Sequence, residues 1–347
     1  MNEKTILVTG GAGFIGSNFI YYLFEQYPEI TLVNIDKLTY AGNILNLQYI
    51  GQDKKYFFIK ADICNKKSIQ QIEKEFSPDY IVNFAAESHV DRSILNPEEF
   101  IKTNVLGVQN LLDFSSRWEV EKYLQISTDE VYGSLEKTGA FKETTQLHPR
   151  SPYSASKASA DLLTQAYFHT FDLPINITRC SNNYGPYQFP EKLIPLTILN
   201  CLNGKKIPVY GDGLNVRDWI HVDDHCSAID LVLQNGVPGE VYNIGAHNER
   251  SNIEIVKLII QTLSELRPDL NVTEDLISFV EDRKGHDRRY AIDSTKIQKD
   301  LKWKPSISFE NGLKNTLSWY LDHSDWLDSI ITKEYRSYYQ KMYGKNF

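Results

Sequence analysis

Five side chains suited to proton transfer lie close together in the sequence. Thr128, Asp129 and Glu130 follow an apolar stretch, and Tyr153 precedes Lys157 by four residues. Residues four apart share one face of a helix, and a nearby ammonium favours a phenolate, so we expect Lys157 to lower the pKa of Tyr153. Tyr153 would then be the base that removes a proton from an alcohol. The two adjacent carboxyl groups could move a second pair of protons, which predicts several chemical steps in one pocket.

A glycine-rich turn near the start of the sequence is typical of a dinucleotide site. Gly10, Gly13 and Gly16 are spaced three apart and follow residues 4–9, an apolar run typical of a buried parallel strand. A helix is predicted over residues 17–27. Such glycines allow close approach of the backbone to a pyrophosphate, and the helix N-terminus presents N–H groups to the anion. The alternative is a turn that only reverses the chain.

Acidic residues follow the next two predicted strands. Asp36 ends the strand over residues 30–35, about 20 residues after the glycines, and Asp62 follows the strand over residues 56–60. An acid at the first position accepts hydrogen bonds from a ribose and repels a 2′-phosphate, which predicts NAD rather than NADP. We expect Asp62 to face the adenine amino group. Strand, glycines, helix and acid together favour a dinucleotide site over a simple turn.

Strands and helices alternate through the first half of the chain. Strand patterns recur at residues 80–86, 122–127 and 175–180, and Pro97 begins an amphipathic helix predicted to continue through Leu112. The apolar face of that helix fits either the core or a dimer interface. The alternation predicts an α/β fold with a doubly wound parallel sheet of the Rossmann type. Ligands of such sheets bind at the carboxyl ends of the strands, where the residues above all lie.

The alternation of strand and helix patterns stops after the sixth predicted strand, where turn-forming residues dominate from Ser181 to Tyr187. We therefore assign residues 1–180 to an NAD-binding Rossmann domain, to which residues 219–246 are predicted to return. Residues 181–218 and 247–347 are assigned to a smaller mixed α/β domain that binds the substrate.

Basic residues are concentrated in one late segment of an otherwise acidic chain. Residues 283–290, together with Lys192 and Arg217, are predicted to clamp a substrate diphosphate through bidentate guanidinium contacts. The alternative for such a charge run is a solvated surface loop. The two additional cations favour the anion site.

Composition excludes several classes of function. The chain of 347 residues has a formal net charge of −8 and no basic run of the kind that binds nucleic acid. No apolar run reaches transmembrane length, and a strand pattern begins within the first residues, so we expect neither a membrane partner nor a signal peptide. Four scattered cysteines without a Cys-x-x-Cys pair indicate reduced thiols in a cytoplasmic protein.

Two further features are interpreted as structural. His221 and His225 have a spacing that can hold zinc, but no Glu follows His221 and no third ligand is evident. We therefore predict no metal site. The aromatic residues from Trp319 to Tyr343 are predicted to pack helices or to form an interface rather than a cofactor pocket.

These motifs together resemble the extended short-chain dehydrogenase/reductase family over essentially the whole chain. The shared features are the glycine spacing, the acid after the second strand, and Tyr153 with Lys157 and an upstream Thr128. The paired acids Asp129 and Glu130 make the chain most similar to the nucleotide-sugar 4,6-dehydratases, because related epimerases have a hydroxyl but lack the acids. Further matching segments are residues 85–91, 181–187, 191–195 and 285–290.

The resemblance implies NAD as the cofactor, dTDP-glucose as the small-molecule substrate, and a homodimer whose interface includes the Tyr153 helix. It implies that Tyr153, with Lys157, removes the 4-hydroxyl proton while hydride leaves C4 for NAD, and that Thr128 orients that hydroxyl. Glu130 then removes the C5 proton, Asp129 protonates the leaving 6-hydroxyl, and the retained NADH returns hydride to C6. The product would be dTDP-4-dehydro-6-deoxy-glucose, which supplies deoxysugar biosynthesis of the rhamnose type.

The resemblance also implies two sets of binding residues. Those for the cofactor are Gly10, Gly13, Phe14, Ile15, Gly16, Asp36, Lys37, Leu38, Thr39, Asp62, Ile63, Phe84, Ala85, Ala86, Ser88, Thr103, Tyr153, Lys157 and Asn183. Those for the substrate are Ser88, Thr128, Glu130, Asn182, Lys192, Leu193, Pro208, Tyr210, Arg217, Asn252, Arg283 and His286.

Other functions share most of these features. A nucleotide-sugar 4-epimerase or decarboxylase would need no paired acids, and another nucleotide-sugar dehydratase would differ in its substrate. A non-catalytic NAD-binding regulator would tend to lack one of Thr128, Tyr153 or Lys157, all of which are present. The sequence does not distinguish thymidine from uridine or cytidine as the base.

Overall fold

The computed structural model describes Met1 and residues 3–344. Its strands are β1 (Thr5–Thr9), β2 (Thr31–Asp36), β3 (Tyr56–Lys60), β4 (Tyr80–Asn83), β5 (Lys122–Thr128), β6 (Ile175–Cys180), β7 (Asn182–Tyr184), β8 (Ile207–Tyr210), β9 (Val216–His221), β10 (Val241–Ile244), β11 (Glu249–Ser251) and β12 (Ile277–Val280). Its α-helices are α1 (Phe14–Gln26), α2 (Lys66–Glu75), α3 (Val90–Leu95), α4 (Pro97–Ile101), α5 (Val108–Trp118), α6 (Pro152–Phe171), α7 (Leu193–Leu202), α8 (Val222–Asn235), α9 (Asn252–Leu266), α10 (Thr295–Leu301), α11 (Phe309–Asp322), α12 (Ser324–Ile330) and α13 (Lys333–Tyr343). Short 3-10 turns occupy Ile44–Leu47, Asp129–Tyr132, Pro268–Leu270 and Glu274–Leu276, and a π-helical turn occupies Lys102–Gly107.

A seven-stranded sheet organises the described structure, in the order β10-β6-β5-β4-β1-β2-β3. Every neighbouring pair in it is parallel. Strand β1 is covered on both faces, because Ile6 and Val8 belong to one apolar cluster while Leu7 belongs to another. The strand order reverses between β1 and β4, so the ligand crevice is expected at their carboxyl ends. The predicted doubly wound α/β fold is confirmed.

Two smaller sheets accompany the large one. Strands β11, β9 and β7 form a sheet of mixed direction, and β12 pairs in parallel with β8. Strand β7 lies in a segment for which the sequence predicts only turns. A separate apolar cluster joins α7, α9 and α11 through residues such as Ile198, Ile259 and Leu317. These elements build the second wall of the cavity described below.

Helix α1 begins at Phe14 rather than at the predicted Ser17. Gly13 is its N-cap residue with extended backbone, and Gly16 is buried within the first turn. The glycines therefore belong partly to the helix, which a pattern based on helix propensity does not anticipate because glycine is a poor helix former. As a result, the first N–H groups of α1 lie beside the glycine turn.

The single helix predicted from Pro97 through Leu112 is instead α4, a π-helical turn and α5 in succession. Asn104 lies in the π-helical turn and is buried. Its amide accepts a hydrogen bond from the Glu87 N–H and donates one to the Glu87 carbonyl, both at 2.9 Å. The π-helical turn thus contains the residue that pairs with the loop after β4, and apolar periodicity does not reveal the change of helix type.

No helix within residues 3–344 is both long and apolar enough to cross a membrane. All four cysteines are free thiols, of which Cys180, Cys201 and Cys226 are buried and Cys64 is partly exposed.

Candidate active site

A cavity of about 410 Å³ lies at the carboxyl ends of the parallel strands. Residues just past β1, β2, β3, β4, β5 and β6 line it, together with residues from the smaller sheets. The five predicted catalytic residues and every predicted substrate-binding residue are on its wall. Of the predicted cofactor-binding residues, all but Leu38 are there as well. The parallel topology therefore brings nearly all of the predicted site residues to one place.

Leu38 contacts the site residue Asp36 through its backbone instead. Its φ is +55°, and its N–H donates a 2.7 Å hydrogen bond to Asp36 Oδ1. Its side chain packs against the apolar core. The sequence could not separate it from its neighbours Lys37 and Thr39, which do line the cavity, because the direction of each side chain depends on this local backbone turn.

The glycine turn approaches its neighbours too closely for side chains. Gly10 has a φ of +72°, and a Cβ atom there would lie 2.6 Å from the backbone nitrogen of Ala85. A Cβ atom on Gly16 would lie 2.4 Å from the carbonyl oxygen of Gly10. Gly13 has no side chain to cap α1, so the first N–H groups of the helix are available to an anion. This cradle fits the pyrophosphate of a dinucleotide.

Two acids lie on the cavity wall beyond the glycine turn. Asp36 Oδ1 accepts from the Leu38 N–H and Oδ2 from the Ala12 N–H at 2.9 Å, while burial raises the pKa of Asp36. Each carboxylate oxygen has a further lone pair, so Asp36 can still accept from a ribose hydroxyl. Asp62 forms a 2.8 Å ion pair with Lys37. This local partner of Asp62 is not foreseen from the sequence.

Tyr153 and Lys157 lie one turn apart on α6, and both are buried. Lys157 Nζ donates a 2.6 Å hydrogen bond to the carbonyl oxygen of Ile126 on β5. Burial, and then the charge of Glu130, raises the pKa of Tyr153 well above its ordinary value, while a hydrogen bond with Thr128 lowers it. Burial also lowers the pKa of Lys157. The predicted lowering of the tyrosine pKa is thus wrong for this structure, in which burial is the largest cause and raises it.

Asp129 and Glu130 occupy the turn directly after β5. The Thr128 hydroxyl accepts from the Glu130 N–H and donates to Asp129 Oδ1, each at 3.3 Å. Asp129 is 1% exposed, and its Oδ2 has no hydrogen-bond partner among the described residues. Burial and the charge of Glu130 raise the pKa of Asp129 well above its ordinary value. Burial also raises the pKa of Glu130, but three nearby cations favour its charged form. The pKa of both carboxyl groups is therefore raised, and cations oppose the shift more at Glu130 than at Asp129.

Those cations are Arg283, Lys192 and Arg217, and all three line the cavity. Lys192 and Arg217 donate to backbone carbonyl groups at 2.9 and 3.0 Å, which does not neutralise their charge. The guanidinium of Arg283 lies 3.7 Å from Asp91, and its Nε has no hydrogen-bond partner among the described residues. This wall therefore presents charged donors of the kind that bind a diphosphate.

The basic segment over residues 283–290 divides between the cavity and the surface. Arg283 and His286 line the cavity. Arg288 and Arg289 instead form ion pairs with carboxylates at 2.8 and 2.6 Å. Only these two residues of the predicted diphosphate-binding segment line the cavity. The sequence does not show which of its side chains point inward.

Several residues of the cavity wall receive no role from the sequence. Tyr343 is the clearest case: the sequence assigned it to helix packing or an interface rather than to a pocket, but it lines the cavity, and its hydroxyl lies 3.4 Å from that of Tyr210. Trp326, in the same aromatic segment, packs in the apolar core as predicted. No motif marks Tyr343. Glu87 also lines the cavity, and its position directly after a predicted strand could have identified it from the sequence.

His221 and His225 have separate partners. His221 is the N-cap of α8, where its Nδ1 accepts from the Asp223 N–H at 3.3 Å. His225 Nδ1 lies 2.8 Å from Asn183 Oδ1. Within residues 3–344 there is no group of three or more His, Cys, Asp or Glu side chains that could hold a metal ion.

The chain is similar to known proteins over nearly its whole length. The family model described as GDP-mannose 4,6 dehydratase matches residues 7–316. The chain is 49% identical to the dTDP-glucose 4,6-dehydratase of Neisseria meningitidis serogroup B, over 96% of this chain and 98% of the relative. It is 46% identical to dTDP-glucose 4,6-dehydratase 1 of Escherichia coli K12, over 97% of this chain and 98% of the relative.

Solved structures are similar over the same length. The dTDP-glucose 4,6-dehydratase of Bacillus anthracis, in complex with NAD, has 50% identity and a TM-score of 0.87, over 94% of this chain and 99% of that one. DesIV, the dTDP-glucose 4,6-dehydratase of Streptomyces venezuelae, with NAD and TYD bound, has 45% identity and a TM-score of 0.88 over the same shares. The resemblance to nucleotide-sugar dehydratases is confirmed, and the chain belongs to the GDP-mannose 4,6-dehydratase family.

Proposed function

We propose that this protein removes water from dTDP-glucose to give dTDP-4-dehydro-6-deoxy-glucose, with NAD retained and recycled. One observation carries the proposal: the paired acids Asp129 and Glu130 line the same cavity as Thr128, Tyr153 and Lys157. A 4-epimerase would need only the last three. Relatives named for this activity are 46–50% identical to the chain.

The residues around the glycine turn fit NAD. The backbone at Gly10, Gly13 and Gly16 would hold the pyrophosphate, and Asp36 would accept hydrogen bonds from the adenosine ribose. When bound, NAD accepts the hydride that leaves C4 of the sugar and returns it to C6. Its positively charged nicotinamide would also favour the phenolate form of Tyr153, which burial alone disfavours.

The protein side chains then move the protons. Tyr153 takes the proton of the 4-hydroxyl group while Thr128 holds that hydroxyl. The ketone formed at C4 makes the C5 proton acidic, and Glu130 removes it. Asp129, whose pKa is raised by burial, gives its proton to the 6-hydroxyl group so that water leaves. The hydride taken from C4 would return to C6, and Glu130 would give the proton that it removed back to C5, which completes the product.

The charged wall would hold the nucleotide. Arg217, Arg283 and Lys192 supply donors to the two phosphates, and the buried Nε of Arg283 is aligned with no other acceptor in the described residues. A buried N–H group without an acceptor is costly even when the guanidinium has Asp91 nearby, which supports an anionic ligand at this wall.

We further propose that the two parts of the chain divide these tasks. Residues 1–180 and 219–246 contribute the glycine turn and Asp36 and would hold NAD. Residues 181–218 and 247–347 contribute the three cations of the anion wall and would hold the nucleotide-sugar. The two parts meet at the cavity, whose lining draws on both.

We also propose that the protein is a homodimer. Apolar side chains on α3, α4, the π-helical turn and α6 are 47–58% exposed: Leu95, Ile101, Leu106, Leu162 and Phe171. We call these residues the helical apolar face. The elements that carry it pack against one another, and an apolar patch on packed helices is typical of an interface between subunits.

The unpaired thiols support a cytoplasmic location, since cysteines stay reduced in that compartment. The chemistry of the product supports a role in deoxysugar biosynthesis of the rhamnose type.

The test is incubation of the purified protein with dTDP-glucose, UDP-glucose and CDP-glucose in separate reactions, followed by mass measurement. We expect loss of one water from dTDP-glucose without any added reductant. Loss of water only from another nucleotide would identify a different dehydratase. A product of unchanged mass would contradict dehydration and favour a 4-epimerase.

A further inference from the structure

A buried ion pair lies behind the cavity wall. Arg179 on β6 donates through Nε to Asp161 Oδ2 at 2.8 Å, and the two residues are 2% and 0% exposed. Asp161 is on α6, one turn after Lys157, so the pair is attached to the helix that carries the proposed base. Neither member lines the cavity.

The same guanidinium reaches the turn that carries the acids. Arg179 Nη1 donates to the Tyr132 hydroxyl at 2.9 Å, and the Cζ atom of Arg179 lies 4.9 Å from the centre of the Tyr132 ring. The Tyr132 hydroxyl in turn donates to Asn243 Oδ1 on β10 at 2.8 Å. Tyr132 ends the short turn that begins at Asp129. One planar side chain thus joins the helix of the base to the turn of the acids.

Core stability alone does not call for this arrangement. A buried ion pair loses much of its Coulomb attraction to desolvation, and apolar residues of similar volume often serve the fold as well. Asp161 Oδ1 also has no hydrogen-bond partner among the described residues, so the ion pair leaves one of its own buried polar atoms without a hydrogen bond. The guanidinium holds its N–H donors in a rigid planar arrangement. It can therefore fix the position of Tyr132 relative to Asp161.

We propose that Arg179, Asp161 and Tyr132 are positioning residues that set the acid turn, with Asp129 and Glu130, at a fixed distance from the base helix. This inference rests on the proposed dehydration, because elimination requires both carboxyl groups and the oxidised sugar to meet in one geometry. Oxidation at C4 uses Thr128 and α6 and depends less on the end of the turn. The anchor therefore matters most for the loss of water.

The sharpest variant is Tyr132→Phe, which removes one hydroxyl and keeps the ring stacked on Phe141. Arg179→Lys is a second variant, since its ammonium can pair with Asp161 but lacks the fork that also reaches Tyr132. The matched control is Tyr167→Phe, on the same helix α6, which loses a buried hydroxyl bonded to Asp113 and does not line the cavity.

Each protein is mixed with dTDP-glucose, and enzyme-bound NADH, product formation and KM are followed, with a melting curve for each. We expect both anchor variants to lose turnover by about tenfold or more, because small misplacement of reacting groups is costly. Bound NADH should rise above the wild-type level while KM stays unchanged. The double variant should be no worse than either single one, since both break the same link. Tyr167→Phe should behave as wild type.

Wild-type turnover accompanied by unchanged NADH and product in both anchor variants overturns the inference, even if their melting temperatures fall. Equal loss of C4 oxidation and dehydration, without extra NADH, also overturns it. A wild-type protein that neither reduces its NAD nor releases product contradicts the proposed function, and this inference falls with it.

Discussion

The Lys157 ammonium donates a 2.6 Å hydrogen bond to the backbone carbonyl of Ile126. This contact ties α6 to β5 two residues before Thr128, where the strand ends. Tyr153 is one turn before Lys157 on the same helix, so this bond lies close to both Tyr153 and Thr128. We propose that Lys157 helps to position Tyr153 in addition to supplying its charge.

The first prediction separates the steps of the reaction. A protein with Asp129→Asn and Glu130→Gln should still form bound NADH from dTDP-glucose but should stall before water leaves. Tyr153→Phe should form no NADH, because the 4-hydroxyl proton has no acceptor. General acid and base groups contribute about 10²- to 10⁴-fold each, so single-turnover absorbance resolves the difference. Full dehydration by the doubly substituted protein would remove the two acids from the chemistry.

The second prediction concerns coenzyme choice. The wild-type protein should bind NAD much more tightly than NADP, because the Asp36 carboxylate repels a 2′-phosphate. Asp36→Ala should weaken NAD and narrow that preference, measured as the ratio of the two dissociation constants. Asp62→Asn is the matched control, since it removes an acid that is paired with Lys37, and it should leave the ratio unchanged. Equal binding of both coenzymes by the wild type would refute the role given to Asp36.

The third prediction concerns the anion wall. Arg217→Ala or Arg283→Ala should raise the KM for dTDP-glucose more than it lowers kcat, with a loss of binding of roughly 2–5 kcal/mol. Arg288→Ala is the control from the same region, because Arg288 pairs with the exposed Asp212 and does not line the cavity. Steady-state kinetics of the three variants decide the matter, and an unchanged KM in both cavity variants would count against the anion site.

The fourth prediction concerns the helical apolar face. Leu106→Glu with Leu162→Glu should convert a homodimer to monomers, because charges at a buried interface are not solvated. Leu214→Glu, at a leucine that is 48% exposed outside that face, is the control. Light scattering after size exclusion measures the mass of each species. A wild-type protein that elutes as a monomer would contradict the proposed dimer.

The fifth prediction links stability to pH through His225. Burial lowers the pKa of this histidine to about 3, whereas the unfolded chain has the ordinary value near 6.5. The unfolded state alone binds the proton between these values, so stability is lost as pH falls from about 6.5 to about 3. At pH 5 this single group should account for about 2 kcal/mol of the loss.

His225→Gln should therefore flatten the acid side of the stability profile, measured as the free energy of unfolding in denaturant at pH 7 and pH 5. The exposed His169→Gln is the matched control and should keep the wild-type slope. The same slope in wild type and His225→Gln would mean that other groups carry the acid sensitivity.

The sequence by itself determined the parts of the site that follow directly from a strand. The glycine turn after β1, Asp36 after β2 and Thr128, Asp129 and Glu130 after β5 are each local patterns. A parallel sheet places all of its carboxyl strand ends at one edge. Once the alternation of strands and helices was recognised, convergence of these residues on one crevice followed without knowledge of any long-range contact.

The tertiary structure alone decided which side chains of irregular segments face the cavity and how burial shifts their protons. Arg283 lines the cavity while Arg288 does not, and Tyr343 joins the wall from the far end of the chain. The pKa of Tyr153 is raised because residues distant in sequence exclude water from its hydroxyl. The spacing of Tyr153 and Lys157 in the sequence does not predict this burial. The burial and the direction of a side chain depend on the residues that pack around it in the folded chain. Many of those residues are distant in sequence, so local sequence patterns do not identify them.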